Sequence, residues 1–228
     1  MNVLSIEGAR AEDDRLSDAP MDVALAEGDF ALIETGARRG GAFADLCLGL
    51  VPLTAGRVRV LGRGWTTTPP AQADALRGHV GRLFAMPIRA ETPDVARRIL
   101  LARLHHTRVP EPVLRAEAAA LAIRFGLPGL PAGPARLLSD ADLLRAACVR
   151  AFLGGPRLVI LELPLAVQEP EVLRACLTVG AEARGLGAAV LWLAASGAGL
   201  RDRSITPTHR FRLTDSGLGA PRTVKVAA

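Results

Sequence analysis

The stretch Phe30-Ala31-Leu32-Ile33-Glu34-Thr35-Gly36-Ala37-Arg38-Arg39-Gly40-Gly41-Ala42-Phe43 decides how this chain folds. Its first six residues form an apolar run of strand length. Gly36 to Gly41 reads as a glycine loop, and an apolar helix is expected from Ala42 to Leu50, stopped at Val51-Pro52 by the proline. Strand, glycine loop and helix make the setting of a phosphate-binding loop. Gly36 and Gly41 have the spacing of the glycines in G-x-x-x-x-G-K-[ST]. Ala42 stands where that pattern has its lysine, and Phe43 where it has the magnesium-binding hydroxyl. The frame is present without the side chains that neutralise phosphate.

Outward from this stretch, short strands are expected at Val3 to Ile6 and Met21 to Leu25. Thr54-Ala55-Gly56 reads as a turn into an alternating strand, Arg57 to Leu61. Thr66 to Pro70 is a loop, and Val80 to Phe84 a further strand. The middle of the chain changes character. Helices are expected at Asp94 to His106, with Pro93 just before it, and at Glu111 to Phe125, ended by Gly126. Residues 127–136 carry three prolines and two glycines and form a loop. Ser139 caps a helix that runs to Leu153, with acids in its first turn. Leu158 to Leu161 and Ala188 to Leu193 are buried strands flanking a helix from Pro170 to Arg184. Phe211 to Leu213 and Thr223 to Val226 are short terminal strands. Apolar strands alternating with helices imply an α/β core with a mainly parallel sheet.

At 228 residues and 50% apolar composition, a substantial layered core is affordable for one domain with an insertion. The net charge of +5 is carried by arginine, since Lys225 is the only lysine. Between Met86 and Arg136 eight arginines face four acids, a local excess of four. That excess is either a solvated helical face or a surface for an anionic partner. No basic run or reading motif accompanies it, and aromatics are only 4% with no tyrosine, so no nucleic-acid partner is expected. Cys47, Cys148 and Cys176 lie far apart in sequence, each in an apolar helical pattern, and read as reduced core thiols. His105-His106 reads as a solvated helix end, and Trp192 as core. Glu12-Asp13-Asp14 argues against a signal peptide. Gly185 to Leu200, sixteen residues with four glycines, is too short and broken to span a membrane. A soluble protein is expected, reaching a membrane only through a partner.

In this order the landmarks resemble one family along nearly the whole chain, the ATP-binding subunits of ABC transporters. Leu48 to Gly62, with Pro52-Leu53-Thr54-Ala55-Gly56-Arg57-Val58, resembles the family's segment after the phosphate loop. Val80-Gly81-Arg82-Leu83-Phe84 resembles the strand entering its Q-loop. Leu138-Ser139 with Arg145-Ala146-Ala147-Cys148-Val149-Arg150-Ala151 resembles its signature helix. Gly155-Pro156-Arg157-Leu158-Val159-Ile160-Leu161-Glu162-Leu163-Pro164 resembles Walker B. The resemblance implies a P-loop NTPase core of the ABC ATPase kind, residues 1–85 and 154–228, with N-terminal antiparallel strands and a mainly parallel sheet. A helical, signature-type lobe would fill residues 86–153.

The same resemblance implies a nucleotide site changed at each working position. The phosphate-loop lysine and hydroxyl fall on Ala42 and Phe43, whose ring would occupy the metal's place. The Q-loop glutamine falls on Ala85, and the signature residues after Ser139 on Asp140, Ala141 and Asp142. The Walker B aspartate falls on Glu162, its water-polarising glutamate on Leu163, and the switch histidine on Ala195. The D-loop aspartate falls near Gln168-Glu169. A charge-assisted hydrogen bond is worth roughly 1.5–3 kcal/mol. Losing two or three weakens binding about a hundredfold or more. Hydrolysis is therefore not expected, while a nest of backbone N–H groups at Gly36, Gly40 and Gly41 could still hold an anion unaided. Arg38 and Arg39 either replace the lysine or are exposed loop arginines. Glu162 is either a residual metal carboxylate or a buried acid paired with a loop arginine.

The resemblance thus implies an inactive nucleotide-binding-domain subunit, structural or regulatory, in a membrane transport complex. No ATP, magnesium or other cofactor is expected. Its partners would be a transmembrane permease and a second ABC ATPase-like subunit, as homodimer or heterodimer, on the cytoplasmic face. Residues near 85–110 would line the groove that meets the permease. Leu163-Pro164-Leu165 is compatible with the lipid-transporting (Mla-like) branch. Two alternatives stand beside this one: a divergent but active ATPase using Arg38 and Arg39, in which ATP and magnesium bind, and a soluble scaffold unrelated to transport.

Overall fold

Alternation along the central strands divides the core in two. The computed structural model describes residues 1–85, 91–162, 170–195 and 205–219. Strands β3 (Phe30–Glu34), β7 (Leu158–Leu161) and β8 (Ala189–Ala194) are parallel, as are β6 (Val80–Leu83) beside β7 and β9 (His209–Thr214) beside β3. With the short antiparallel β10 (Gly217–Leu218) they form a six-stranded sheet, order β10-β9-β3-β8-β7-β6. Successive side chains point to opposite faces. Ala31, Ile33, Leu158, Ile160, Leu191 and Leu193 therefore enter one core, and Phe30, Leu32, Val159, Leu161, Val190 and Trp192 the other.

Helix α1 (Ala37–Cys47) covers the first face and is itself covered by a second, antiparallel sheet. That sheet is ordered β2-β1-β4-β5, with β1 at Asn2–Ala11, β2 at Met21–Ala26, β4 at Leu53–Val60 and β5 at Arg63–Gly64. Helices α3 (Val95–His106), α4 (Glu111–Arg124), α5 (Asp140–Phe152) and α6 (Pro170–Gly185) pack on the second face. The Asp94 side chain accepts from the Arg97 N–H at the start of α3, and Ser139 accepts from the Asp142 N–H at the start of α5, which satisfies first-turn donors. Helix α5 lies close on β6 because Gly81 has no side chain: a Cβ there would overlap the Ala151 carbonyl.

The α/β architecture and mainly parallel sheet agree with expectation, and so do α3 to α6 within two residues at each end. Five expectations need correction. Strand β1 runs to Ala11, where it was expected to end at Ile6. Helix α1 starts at Ala37 and ends at Cys47, where Ala42 to Leu50 was expected. Strand β4 starts at Leu53, so Thr54-Ala55-Gly56 lies inside the ladder, beside register shifts between Glu7 and Ala11 of β1. Helix α2 (Pro70–Arg77) was not expected; only Ala73 and Leu76 of it are buried, too few to make a periodic pattern. Residues 135–137 of the expected loop form a short 3-10 turn. The strand expected at Thr223 to Val226 lies outside the described residues. No helix among the described residues is long and apolar enough to cross a membrane.

All three cysteines are buried and free. Two that are distant in sequence meet in space, with Cys148 Sγ 3.7 Å from Cys176 Sγ. Burial pushes the Cys47 thiol up to about 12, and contact with Cys176 together with burial raises Cys148. Because the thiolate is the reactive form, Ellman's reagent should find no thiol in the native protein and all three in denaturant. Rapid native labelling of any one of them would contradict this burial.

Candidate functional site

The glycine segment is a helix start. Gly36 is extended (φ −72°, ψ 149°), and the chain is helical from Ala37. The Gly40 N–H donates to the Gly36 carbonyl at 2.8 Å. None of Gly36, Gly40 and Gly41 enters the left-handed region. The nest of converging N–H groups expected here is therefore absent, since that geometry alternates right- and left-handed residues. Ala37, Arg38 and Arg39 are adequate helix formers, and tertiary packing completes the turn. A Cβ on Gly40 would press Thr35 Cγ2 at 3.1 Å, so this glycine serves close contact with the strand end.

The two residues read as replacing the lysine and the hydroxyl face inward. Ala42 and Phe43 are fully buried in the core shared by α1 and both sheets. Phe43 thus lies in the core, where the sequence placed its ring at the metal position. Arg38 is 78% exposed and meets Asp14 at 3.4 Å. Arg39 pairs with Asp215. The two arginines are engaged by acids from opposite parts of the chain and do not converge on one point.

Glu162, at the end of β7, is 8% exposed. The expectation of a loop arginine beside it is corrected: its partner is Arg82 of β6. Arg82 Nε donates to Glu162 Oε1 at 2.6 Å, Nη1 to Asp45 Oδ1 at 2.7 Å, and Nη2 to the Gly41 carbonyl at 3.3 Å. Asp45, on α1, also meets Arg15 Nη2 at 3.5 Å, and Arg15 holds Asp13 in a two-point pair at 2.8 and 2.5 Å. That hydrogen bond draws the Asp13 carboxyl below its ordinary range, against the opposing effect of burial. Two guanidinium groups and three carboxylates thus run from the turn after β1, across α1, to the ends of β6 and β7. The guanidinium of Arg82, 9% exposed at its side chain, lies between Glu162 and the α1 residues Gly41 and Asp45.

The remaining candidates lie elsewhere. Ala85 and Ala195 are exposed, just past β6 and β8. Ser139 and Asp142 bond to each other at the start of α5, in both directions, and Asp142 pairs with Arg145 at 2.9 Å. Asp140 and Ala141 occupy the same first turn. None of these four joins the Arg82 cluster. Leu163, Leu163-Pro164-Leu165 and Gln168-Glu169 lie outside the described residues, apart from the neighbouring Glu162. Trp192 is core, packed beside Phe30 at 6.1 Å. His105 is exposed, but His106 is half-buried and its basicity is lowered by burial, so the pair is not simply a solvated end. Among the described residues no group of three or more His, Cys, Asp or Glu could hold a metal ion.

Arg82, Asp45 and Arg15 are the site residues that sequence reading passed over. One signal was available: a charged residue inside the short apolar strand Val80 to Phe84 must find a buried partner.

No protein-family model matches the chain. It is 32% identical over 130 residues to the phosphonates import ATP-binding protein PhnC of Nocardia farcinica, covering 54% of this chain and 48% of that protein. It is 29% identical over 154 residues to the hypophosphite import ATP-binding protein HtxD of Stutzerimonas stutzeri, covering 64% and 45%. The chain spans about half the length of these curated relatives. Among solved structures it superposes on an ATP-binding subunit of an ABC transporter with a TM-score of 0.77 and 18% identity, covering 97% of this chain and 90% of the other. It also superposes on cbiO1 of Clostridium perfringens, part of the ABC transporter complex cbiONQ, at 0.74 and 16%, covering 97% and 88%. A third match is the ADP conformation of the ATP-binding cassette MJ1267, at 0.72 and 17%, covering 98% and 92%.

Proposed function

We propose that this chain, which has the fold of an ABC transporter ATP-binding subunit, serves a transport complex without hydrolysing ATP itself. It would act as a structural or regulatory subunit on the cytoplasmic face. Its partners would be a transmembrane permease, as cbiO1 belongs to a complex, and a second ATPase-like subunit. One observation carries the reading: the Arg82 guanidinium, with two carboxylates of its own, bridges Glu162 and α1, where it meets the Gly41 carbonyl and Asp45. A triphosphate entering there meets three carboxylates against two cations that are already paired, and like charges at short range repel it. The residues present do not fit magnesium and ATP: Ala42 and Phe43 face the core, and the α1 turn offers no nest. Glu162 would serve here as an internal counterion and not as a metal ligand. The helices between residues 86 and 153 would form the lobe that faces the permease.

On cargo, the lipid branch rests on residues 163–165, outside the described ones. The relatives named above import phosphonates and hypophosphite, and a phosphorus oxyanion is the cargo we favour over lipid.

The test is a calorimetric titration of the purified chain with magnesium-ATP, alongside a turnover assay. We expect no hydrolysis above the protein-free rate and no binding tighter than about 1 mM, equivalent to about −4 kcal/mol. Arg38→Ala with Arg39→Ala should leave both unchanged. Magnesium-dependent turnover that disappears in that double variant would overturn the reading in favour of an active ATPase. Recovery of the native chain from the soluble fraction with no membrane protein attached would favour the soluble scaffold instead.

A further inference from the structure

Helix α6 crosses the face of the sheet that carries Phe30 and Trp192, and a cavity of about 120 Å³ remains between them. Its walls include the two rings, whose centroids lie 6.1 Å apart with their planes at 38°. Val190 and Gly180 also line it. Gly180 keeps the space open. It sits in the interior of α6, where glycine is a poor helix former. Among the described residues, the nearest atom outside α6 to a Cβ placed there is Val190 Cγ2, at 3.9 Å, so packing does not demand the glycine. The volume approaches that of an apolar protein cavity of about 150 Å³ that takes up benzene. Arg184 lines the same cavity. Its Nε donates to the Gly28 carbonyl at 2.7 Å, and its guanidinium lies 5.6 Å from the centre of the Phe30 ring. Among the described residues no carboxylate pairs with Arg184. The acids near it are engaged elsewhere: Glu182 pairs with Arg124 at 2.6 Å, and Asp29 accepts from the Ala26 N–H and meets His209 at 3.3 Å. A guanidinium held by a carbonyl and a ring thus stands at an apolar cavity without a counterion.

We propose that this cavity binds a small aromatic monocarboxylate, with its ring among Phe30, Trp192 and Gly180 and its carboxylate on Arg184. An apolar pocket with a few placed polar groups is the usual form of a small-molecule site. Two tilted aromatic walls favour a flat ring over an aliphatic chain, through offset and edge contacts. The planar guanidinium matches a carboxylate in shape as well as charge, and the Phe30 ring beneath it holds it in place. The cavity lies on the face of the sheet opposite α1. It is therefore separate from the Arg82 network and does not depend on whether the chain binds nucleotide.

Isothermal titration calorimetry of the full chain with benzoate tests it, and we expect saturable binding. Benzamide has the same shape without the charge, and acetate has the charge without the ring. Each should bind at least about tenfold more weakly than benzoate, as loss of a charge-assisted hydrogen bond or of the ring contacts implies. Arg184→Gln should weaken benzoate by roughly tenfold or more and leave benzamide unchanged. Gly180→Leu fills the cavity without touching the charge. It should abolish benzoate binding while a thermal melt shows no loss of stability, because leucine is the better helix former. No saturable binding of benzoate to the unmodified chain, benzamide or acetate binding as tightly as benzoate, or undiminished binding to the folded Gly180→Leu variant overturns the proposal.

Discussion

Arg82→Gln is expected to remove about 3–5 kcal/mol of folding stability, the usual cost of breaking one side of a buried ion pair. The Arg82 and Glu162 side chains are 9% and 8% exposed, so solvent screens little of the loss. Glutamine cannot reach both acids, and Glu162 is left charged and buried. For a chain of this length that corresponds to a fall in Tm of roughly 6–20 °C. The partner experiment separates charge from packing. In Arg82→Leu with Glu162→Leu and Asp45→Asn no buried charge is left without a partner, and most of the stability should return. Urea denaturation of the two variants decides it. A single variant within about 1 kcal/mol of the parent, or a triple variant no better than the single, would count against the network as described.

Rebuilding the missing motif should harm the protein and give it no affinity for nucleotide. Ala42→Lys with Phe43→Thr restores the lysine and the hydroxyl that the spacing from Gly36 calls for. Both positions are fully buried. Truncating Phe43 empties a large core volume at about 3–5 kcal/mol, and a lysine at 42 puts a desolvated cation into the apolar core that Ala42 now fills. Native proteins hold only about 5–15 kcal/mol in total, so we expect largely unfolded protein at 37 °C. Circular dichroism melts and a magnesium-ATP titration check this. A stable variant that binds ATP below about 1 mM would mean that α1 can rewind into a phosphate loop, and the proposed role would have to be abandoned.

Much of the architecture was legible in the residues. Leu158-Val159-Ile160-Leu161 was assigned its strand boundaries to the residue, because a short apolar run bounded by Gly-Pro leaves few alternatives. Ser139 marked the start of α5 as its cap, and Pro93 that of α3, where the Asp94 side chain then accepts from the Arg97 N–H. The candidate site was less legible. The Gly36 to Gly41 segment carried the composition of a loop, yet its φ values are those of a helix start, and a glycine is compatible with both. Helix α2 escaped notice because it buries two side chains and shows no stripe.

Periodicity, caps and turn residues act within a few residues of one another, so the sequence alone determined the order of strands and helices and the resemblance that the fold then matched. Which residues meet at the end of the sheet was decided only in three dimensions. Arg82 reaches Asp45 across 37 residues and Glu162 across 80. A buried guanidinium takes whichever carboxylates the fold delivers, because leaving it unpaired costs several kcal/mol. No local pattern in the chain records that choice.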